Sequence, residues 1–252
     1  MKKKTRVGII GAGTMGSGIA QVASTARCDV QLFDDHQDAL TRSRANLEKV
    51  LSRLVEKGKI DDAQSKEVAA NIHYDTNFND LVDCDIVFEA IIEDAEIKEK
   101  FFCQMEEMVR EDCVLATNTS SLSITSLAAC LKRPERFIGA HFFNPAPLMK
   151  LVEIIPAVQT EAETTSRVRA LIDGWGKRTV LAKDTPGFIV NKVARPFYGE
   201  ALRILEEGIA DPPTIDWAMT ELGGFRMGPF QLMDFIGNDV NYAVTESVFK
   251  AF

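Results

Sequence analysis

Short apolar runs rich in β-branched residues alternate with helical patterns along the first half of the chain. The apolar runs occupy residues 6–10, 30–33, 72–74, 86–92 and 114–117. Helical spacing separates them, as in Leu40, Leu47, Leu51 and Leu54 and in the stretch 96–109. Strands that alternate with helices are typical of β-α-β units, whose right-handed crossovers place helices against a parallel sheet. The sequence therefore predicts an α/β fold with a Rossmann-type doubly wound sheet.

The pattern changes in the last quarter of the chain. Apolar runs at 137–143 and 151–155, a helix around 164–175 and a strand near 179–182 still continue the α/β pattern. Thr185, Pro186 and Gly187 then form a cluster of helix and strand breakers. The segments 188–208, 213–222 and 230–252 that follow contain no convincing strand. We therefore predict two domains, an α/β domain over 1–184 and a smaller all-α domain over 185–252.

Composition excludes several functional classes. The hydrophobic fraction of 46% and the charged fraction of 26% are those of an ordinary globular protein. The net charge of −8 disfavours a partner such as nucleic acid or an anionic membrane, and no apolar run reaches the roughly 18 residues of a bilayer span. The five scattered cysteines contain no C-x-x-C pair. We expect a cytoplasmic protein without a metal site or a disulfide framework.

Residues 11–16 have the pattern G-x-G-x-x-G and lie between the first predicted strand and a helix. In a dinucleotide site the first glycine allows the tight turn, the second lets the backbone approach the pyrophosphate, and the third lets helix and strand pack closely. The predicted cofactor contacts here are Gly11, Ala12, Gly13, Thr14, Met15 and Gly16. The alternative is a structural glycine turn that binds nothing.

An acidic residue stands where the dinucleotide pattern requires one. Asp34 ends the second apolar run, about 20 residues beyond the last glycine. A carboxylate there accepts hydrogen bonds from the ribose hydroxyls and repels a 2′-phosphate, so the predicted cofactor is NAD rather than NADP. The neighbouring Asp35 is the alternative residue for this role.

One histidine and one glutamate occur inside apolar strands. His141 lies near the end of the apolar run 137–143, whereas His36 and His73 have polar surroundings. Glu153 is the single carboxylate in the run 151–155, and a buried carboxylate requires a cation or a donor. If the two strands pair, Glu153 orients the imidazole of His141, which then serves as a general base; Lys150 is the alternative partner.

Five longer motifs resemble the L-3-hydroxyacyl-CoA dehydrogenase family over nearly the whole chain. They are GAGTMGSGIAQVA, FEAIIEDAEIKEKFF, TNTSSLSITSLA, IGAHFFNPAPLMKLVEII and DTPGFIVNKVARPFYGEAL. The final stretch, GFRMGPFQLMDFIGNDVNYAVTESVFKAF, is most similar to the bacterial branch with 3-hydroxybutyryl-CoA and 3-hydroxyadipyl-CoA dehydrogenases. The resemblance implies an NAD-dependent oxidoreductase with an acyl-CoA substrate.

The resemblance also implies roles for individual residues. The catalytic residues would be His141, Glu153, Ser120 and Asn191. Glu93, Lys98, Ser120 and Asn144 would contact NAD, and Ser120 would also contact the substrate. Ser121 is an alternative to Ser120, which would otherwise cap a helix that starts near Ser123. Asn191 has the alternative of an ordinary polar residue, and Glu93 and Lys98 that of a solvated helix start.

Basic residues at a spacing of four occur on the second predicted helix. Lys49, Arg53 and Lys57 share one face of it and could meet the phosphates of coenzyme A, which the family binds near this helix. A solvated charged face is the alternative.

The expected function is oxidation of a short-chain (S)-3-hydroxyacyl-CoA, in fatty-acid β-oxidation, phenylacetate-type degradation or hydroxybutyrate metabolism. A non-catalytic NAD sensor and a dehydrogenase of free hydroxy or sugar acids are the rival hypotheses. Relatives usually continue beyond the DFIG segment, so the helical domain, which forms the homodimer contact in the family, is expected to be incomplete at its carboxyl end.

Overall fold

A computed structural model describes residues 4–250, except for the side chains of residues 247 and 250. These residues form two compact units, and the division falls after Asp184. The first unit is built on one sheet of eight strands and the second consists of helices. The predicted fold class, a Rossmann-type α/β domain followed by a smaller helical domain, is confirmed.

The sheet of the first unit has the order β3-β2-β1-β4-β5-β6-β7-β8. Its strands are β1 Arg6–Ile10, β2 Asp29–Phe33, β3 Ile72–Asp75, β4 Ile86–Glu89, β5 Val114–Thr117, β6 Phe137–Phe142, β7 Leu151–Pro156 and β8 Arg178–Leu181. Every neighbouring pair is parallel except β6 and β7, which are antiparallel. From β1 the strands are added toward one edge of the sheet as far as β3, and from β4 they are added toward the other edge. Ligands of doubly wound sheets bind at this switch point between β1 and β4.

Helices cover the sheet of the first unit. They are α1 Thr14–Thr25, α2 Gln37–Glu56, α3 Asp62–Ala70, α4 Ala95–Met108, α5 Ile124–Ala128 and α6 Ala162–Gly174. The central strands are apolar on both faces, so that Val7, Ile9 and Phe88 are fully buried. Burial on both faces explains why these strands read as continuous apolar runs rather than as alternating ones.

The sequence misplaced the end of one strand and missed one helix. The run 86–92 was predicted to be one strand, but β4 ends at Glu89, and the Ile91 amide donates to the Glu89 carboxylate. Helix α3 was missed, although Asp61 and Gln64 form a capping box at its start. Helix α1 begins at Thr14, within the glycine motif.

The second unit contains α7 Val190–Glu206, α8 Pro212–Trp217, α9 Pro229–Ile236 and α10 Asn238–Lys250. The buried Asp216 of α8 caps α9, because its carboxylate accepts hydrogen bonds from the amides of Phe230 and Gln231. Residues 251 and 252 of the predicted segment 230–252 lie outside the described residues. Within 4–250, every helix is too short or too polar to cross a bilayer.

Candidate active site

The glycine turn lies at the switch point of the sheet. Gly11 follows β1 with φ of +95°, a conformation that favours glycine, and its amide donates to the carbonyl of Phe33 at 2.8 Å. A Cβ on Gly16 would lie 1.8 Å from the Gly11 carbonyl oxygen, whereas a Cβ on Gly13 would meet nothing within 4 Å. The turn is therefore closed on its inner side and open at Gly13, where an approaching ligand would lie.

The amino end of α1 fits an anion. The helix has Gly13 as its N-cap residue and no side chain caps it. Its first amides are consequently available to a ligand, and the helix dipole favours a negative charge there. These are the features that a pyrophosphate group requires, so the residues present fit a dinucleotide.

Asp34 reaches the same turn. Its carboxylate accepts hydrogen bonds from the amide of Ala12 at 2.7 Å and from that of His36 at 2.9 Å. Asp35 is exposed and pairs instead with the exposed imidazole of His36, at 3.7 Å. Of the two candidate carboxylates, Asp34 is therefore the one beside the glycine turn.

His141 and Glu153 are direct cross-strand neighbours on β6 and β7. The imidazole Nδ1 lies 2.7 Å from the Glu153 Oε2, and the two residues are 6% and 0% exposed. Because a carboxylate only accepts hydrogen bonds, Nδ1 is the donor in this contact, and Nε2 is then the acceptor nitrogen of the neutral ring. The alternative partner, Lys150, is exposed. The pair has the geometry of a general base and the residue that orients it.

Two neighbours fix the position of this pair. The Phe143 ring packs against the imidazole of His141, with ring centroids 4.5 Å apart. The side-chain oxygen of Asn118 accepts a hydrogen bond from the Phe142 amide at 2.9 Å and so ties the loop after β5 to β6. The role of Asn118 was missed in the sequence, because a polar residue in a loop gives no signal of its partner.

Glu93 holds the loop that carries Ser120. Its Oε1 accepts hydrogen bonds from the Thr119 hydroxyl at 2.5 Å, from the Ser120 amide at 2.8 Å, and from the hydroxyls of Ser120 and Ser121 at 3.3 Å each. Burial by itself would raise the pKa of Glu93, but the charge of Lys98 and the bonds from Thr119 and Ser120 together lower it. Glu93 is therefore an ionised acceptor that holds this loop, although its side chain is 37% exposed.

Ser120 does not cap the following helix. The N-cap residue of α5 is Ser123, whose hydroxyl accepts from the Ser126 amide at 3.2 Å. The Asp184 carboxylate also accepts hydrogen bonds from the amides of Ile124 and Thr125. The alternative role for Ser120 is thus taken by Ser123, and Asp184 at the end of the first unit is a second cap that the sequence did not indicate.

Lys98 is 1% exposed, so it is not part of a solvated helix start. Its ammonium lies 2.5 Å from the Glu89 Oε1 and 3.2 Å from the Glu93 Oε2. Its contact with NAD stays a prediction. The sequence analysis missed Glu89, although a lone carboxylate in an apolar run was the same signal that singled out Glu153.

A groove of about 760 Å³ begins at the glycine turn and runs between α1, α2 and the segment 144–148. Asn144 lines it, and so do Arg42, Val50 and Leu54 of α2. Lys49, Arg53 and Lys57 are exposed and lie outside this lining, with Lys57 at the carboxyl cap of α2. Their contact with coenzyme A stays a prediction, and Arg42 is the basic residue of α2 in the wall.

Lys177 closes one side of the groove. Its ammonium donates to the carbonyl oxygens of Ala146, Pro147 and Met149 and so fixes the segment after Asn144. Desolvation lowers the pKa of Lys177. No sequence pattern indicated this residue.

The remaining candidate lies in the second unit. Asn191 stands in the first turn of α7, where its carbonyl accepts from the Arg195 guanidinium at 3.2 Å. Its catalytic role stays a prediction.

Residues 4–250 contain no cluster of three or more histidine, cysteine, aspartate or glutamate side chains suited to a metal ion. Burial raises the pKa of Cys84 to about 12 and that of Cys113 to about 12, so neither is a thiolate near neutral pH.

Two family descriptions match the chain. Residues 6–185 match 3-hydroxyacyl-CoA dehydrogenase, NAD binding domain, and residues 187–252 match 3-hydroxyacyl-CoA dehydrogenase, C-terminal domain. The chain is 46% identical over 246 residues to 3-hydroxyadipyl-CoA dehydrogenase of Escherichia coli strain K12, covering 98% of this chain and 52% of that protein. It is 42% identical over 247 residues to 3-hydroxybutyryl-CoA dehydrogenase of Clostridioides difficile, covering 98% and 88%.

Solved structures agree with the sequence matches. A crystal structure of 3-hydroxybutyryl-CoA dehydrogenase from Escherichia coli K12 has a TM-score of 0.97 at 46% identity, over 99% of this chain and 53% of that one. The (S)-3-hydroxybutyryl-CoA dehydrogenase of Ralstonia eutropha has a TM-score of 0.96 at 41% identity, over 99% and 88%. The chain spans about half the length of the Escherichia coli relatives.

Proposed function

Because the chain belongs to the 3-hydroxyacyl-CoA dehydrogenase family, we propose that it catalyses the reversible, NAD-dependent oxidation of an (S)-3-hydroxyacyl-CoA to the 3-ketoacyl-CoA. The substrate class is short, such as a 3-hydroxybutyryl or 3-hydroxyadipyl thioester, in line with the names of the relatives. The observation that carries this proposal is the buried contact between His141 and Glu153.

The chemistry assigned to the chain is a proton transfer. The Nε2 of His141 accepts the proton of the substrate hydroxyl, and the Glu153 carboxylate stabilises the imidazolium that forms. NAD, when bound, would supply the hydride acceptor for the carbon that bears this hydroxyl, whose C–O bond becomes the carbonyl as the hydride and the proton leave. Ser120 donates a hydrogen bond to the substrate oxygen, and Asn191 keeps the catalytic role that the family resemblance implies. A non-catalytic NAD sensor would not require a buried base oriented by a carboxylate.

The glycine turn, Asp34 and the loops at Glu93 and Asn144 form the proposed NAD site. The open space at Gly13 and the uncapped amino end of α1 receive the pyrophosphate. The Asp34 carboxylate, held beside the turn by the Ala12 amide, receives the ribose hydroxyls.

We assign the groove along α2 to the coenzyme A moiety. Val50 and Leu54 supply an apolar wall suited to the pantetheine arm, and the Arg42 guanidinium suits a phosphate. Lys49 and Arg53 of α2 and Lys57 at its carboxyl cap retain their predicted role toward the coenzyme A phosphates.

We propose that the protein is cytoplasmic. Exposed apolar side chains on the second unit favour self-association. Val193, Leu222 and Phe235 are more than two-thirds exposed, and large exposed apolar side chains concentrated on one small unit are typical of an interface. We propose a homodimer formed through this unit.

The decisive experiment compares thioesters with a free acid. NADH formation from NAD is measured with 3-hydroxybutyryl-CoA, 3-hydroxyadipyl-CoA and a longer 3-hydroxyacyl-CoA, beside free 3-hydroxybutyrate. We expect kcat/KM for the best thioester to exceed that of the free acid by at least about 10²-fold, because contacts with the remote CoA contribute to transition-state binding. Free CoA should compete with the thioesters. Equal turnover of the free acid would contradict the substrate class, and NAD binding without any turnover would contradict the proposed activity.

The cofactor preference is expected to depend on Asp34. Asp34→Ala should raise the KM for NAD about tenfold and narrow the preference for NAD over NADP, because the variant neither binds the ribose hydroxyls nor repels the 2′-phosphate. The matched control is Asp35→Ala, which removes an exposed carboxylate one residue away. A change of preference in the control, with none in Asp34→Ala, would transfer the role to Asp35.

A further inference from the structure

Three charged side chains form an ion-pair cluster beneath the loops that follow β4 and β5, and two of them are buried. Glu89 ends β4 and is 0% exposed, Lys98 of α4 is 1% exposed, and the Glu93 side chain is 37% exposed. The Lys98 ammonium lies between the Glu89 and Glu93 carboxylates, at 2.5 and 3.2 Å. Removing such charges from water costs several kcal/mol each, so a buried cluster is tolerated only when its partners satisfy one another.

Glu89 receives three hydrogen bonds from two different parts of the chain. Its Oε1 accepts from the Lys98 ammonium and from the Ile91 amide at 2.8 Å. Its Oε2 accepts from the Thr117 hydroxyl, the last side chain of β5, at 2.6 Å. The Thr117 hydroxyl in turn accepts from the Thr119 amide at 3.2 Å. One carboxylate thus fixes the first residues of both loops.

The cluster continues from Lys98 into the proposed site. Lys98 pairs with Glu93, and Glu93 accepts hydrogen bonds from the Thr119 hydroxyl and the Ser120 amide. The position of Ser120 therefore depends on a continuous series of contacts that begins at Glu89. None of the proposed substrate or cofactor contacts involves Glu89 itself.

We propose that Glu89 is a positioning residue: by fixing Lys98 and Thr117 it sets the loops that carry Glu93 and Ser120 before any ligand binds. The effect on turnover rests on the proposed function, whereas the effects on loop order and NAD affinity do not. A preset loop binds with a smaller loss of conformational entropy than a loop that must be ordered by its ligand.

A purely structural ion pair is the competing explanation, and a double variant separates the two. Glu89→Gln removes one carboxylate charge and leaves the Lys98 ammonium buried with Glu93 alone, which should lower stability under either explanation. Adding Lys98→Met removes the buried ammonium, which has lost its Glu89 partner, and replaces it with a flexible apolar side chain of similar length. Stability should then recover, but Glu93 remains without its ammonium partner.

The experiment uses the whole chain and three measurements: thermal unfolding, NAD titration, and hydrogen exchange of the segment 118–123. For Glu89→Gln/Lys98→Met we expect an unfolding midpoint near that of the unchanged chain and faster exchange in 118–123 without NAD. Because Lys98 is itself a predicted NAD contact, exchange without NAD decides this comparison. Slow exchange together with recovered stability would overturn the proposal and leave a structural ion pair.

A milder variant keeps the test decisive if the double variant does not fold. Thr117→Val removes the hydrogen bond to Glu89 and also the acceptor of the Thr119 amide, and it preserves every charge and nearly all the volume. We expect faster exchange in 120–123, beyond the Thr119 amide itself, and NAD affinity reduced about threefold, with a smaller loss of stability than in Glu89→Gln. Unchanged exchange and unchanged NAD affinity in Thr117→Val would contradict the proposal. Failure of the unchanged chain to oxidise thioesters while it binds NAD would overturn the proposed function alone.

Discussion

His141→Gln is expected to lower kcat with the best CoA thioester by about 10²- to 10⁴-fold, the range that a positioned general base contributes. Glutamine is similar in reach to histidine and still donates a hydrogen bond to Glu153, so the buried carboxylate keeps a partner. The amide cannot accept the substrate proton as imidazole does. NAD affinity and the unfolding midpoint should change little. Steady-state kinetics together with NAD titration measure both effects.

Glu153→Gln is the companion variant for this prediction. It removes the charge that stabilises the imidazolium and allows the other imidazole tautomer, so it should lower kcat by a smaller factor than His141→Gln. Applying both changes together should cost little more than His141→Gln alone, since the two residues act as a unit. Near-normal turnover in His141→Gln would reject the assignment of the base.

Gly16→Ala has the second largest expected effect. The added Cβ would lie 1.8 Å from the Gly11 carbonyl oxygen and 3.4 Å from an Ile9 side-chain carbon. Backbone cannot yield as a flexible side chain does, so α1 must move away from β1 and take its amides with it. We expect a loss of stability above the roughly 1–3 kcal/mol of ordinary overpacking, and no measurable NAD binding.

The control for Gly16→Ala lies in the same unit. A Cβ on Gly174, at the end of α6, meets nothing within 4 Å, and Gly174→Ala should be neutral or stabilising by up to about 1 kcal/mol. Thermal unfolding and NAD titration of the two variants check the prediction. A Gly16→Ala variant that binds NAD normally would show that the close approach is not required.

Features that depend on residues close together in the sequence could be predicted from it. Buried parallel strands are recognisable as apolar runs. In or beside such runs lie the glycine turn, the Asp34 carboxylate, and the pair of His141 with Glu153. The last pair was predictable because a short connection joins its strands, so pairing followed from the sequence once a partner for Glu153 was required.

The missed features depend on contacts between distant segments. Glu89 and Thr117 are in contact because they are register partners on the neighbouring strands β4 and β5. No local sequence pattern predicts which residues of two strands are paired. The Lys177 ammonium reaches carbonyls of the segment after Asn144, and carbonyls are present at every residue. A helix as short as α5 is marginal by itself, and Asp184, distant in the sequence, adds a second cap beside Ser123.

The antiparallel pair β6 and β7, which carries His141 and Glu153, determines the order in which parts of the site are lost as the protein is destabilised. Both strands lie inside the sheet, flanked by β5 and β8, and internal strands open less readily than loops do. His141 and Glu153 therefore lie in a more stable part of the first unit than the loops that hold Glu93 and Ser120. Under mild destabilisation, ligand affinity should be lost first, and the contact between His141 and Glu153 should persist until the sheet itself unfolds.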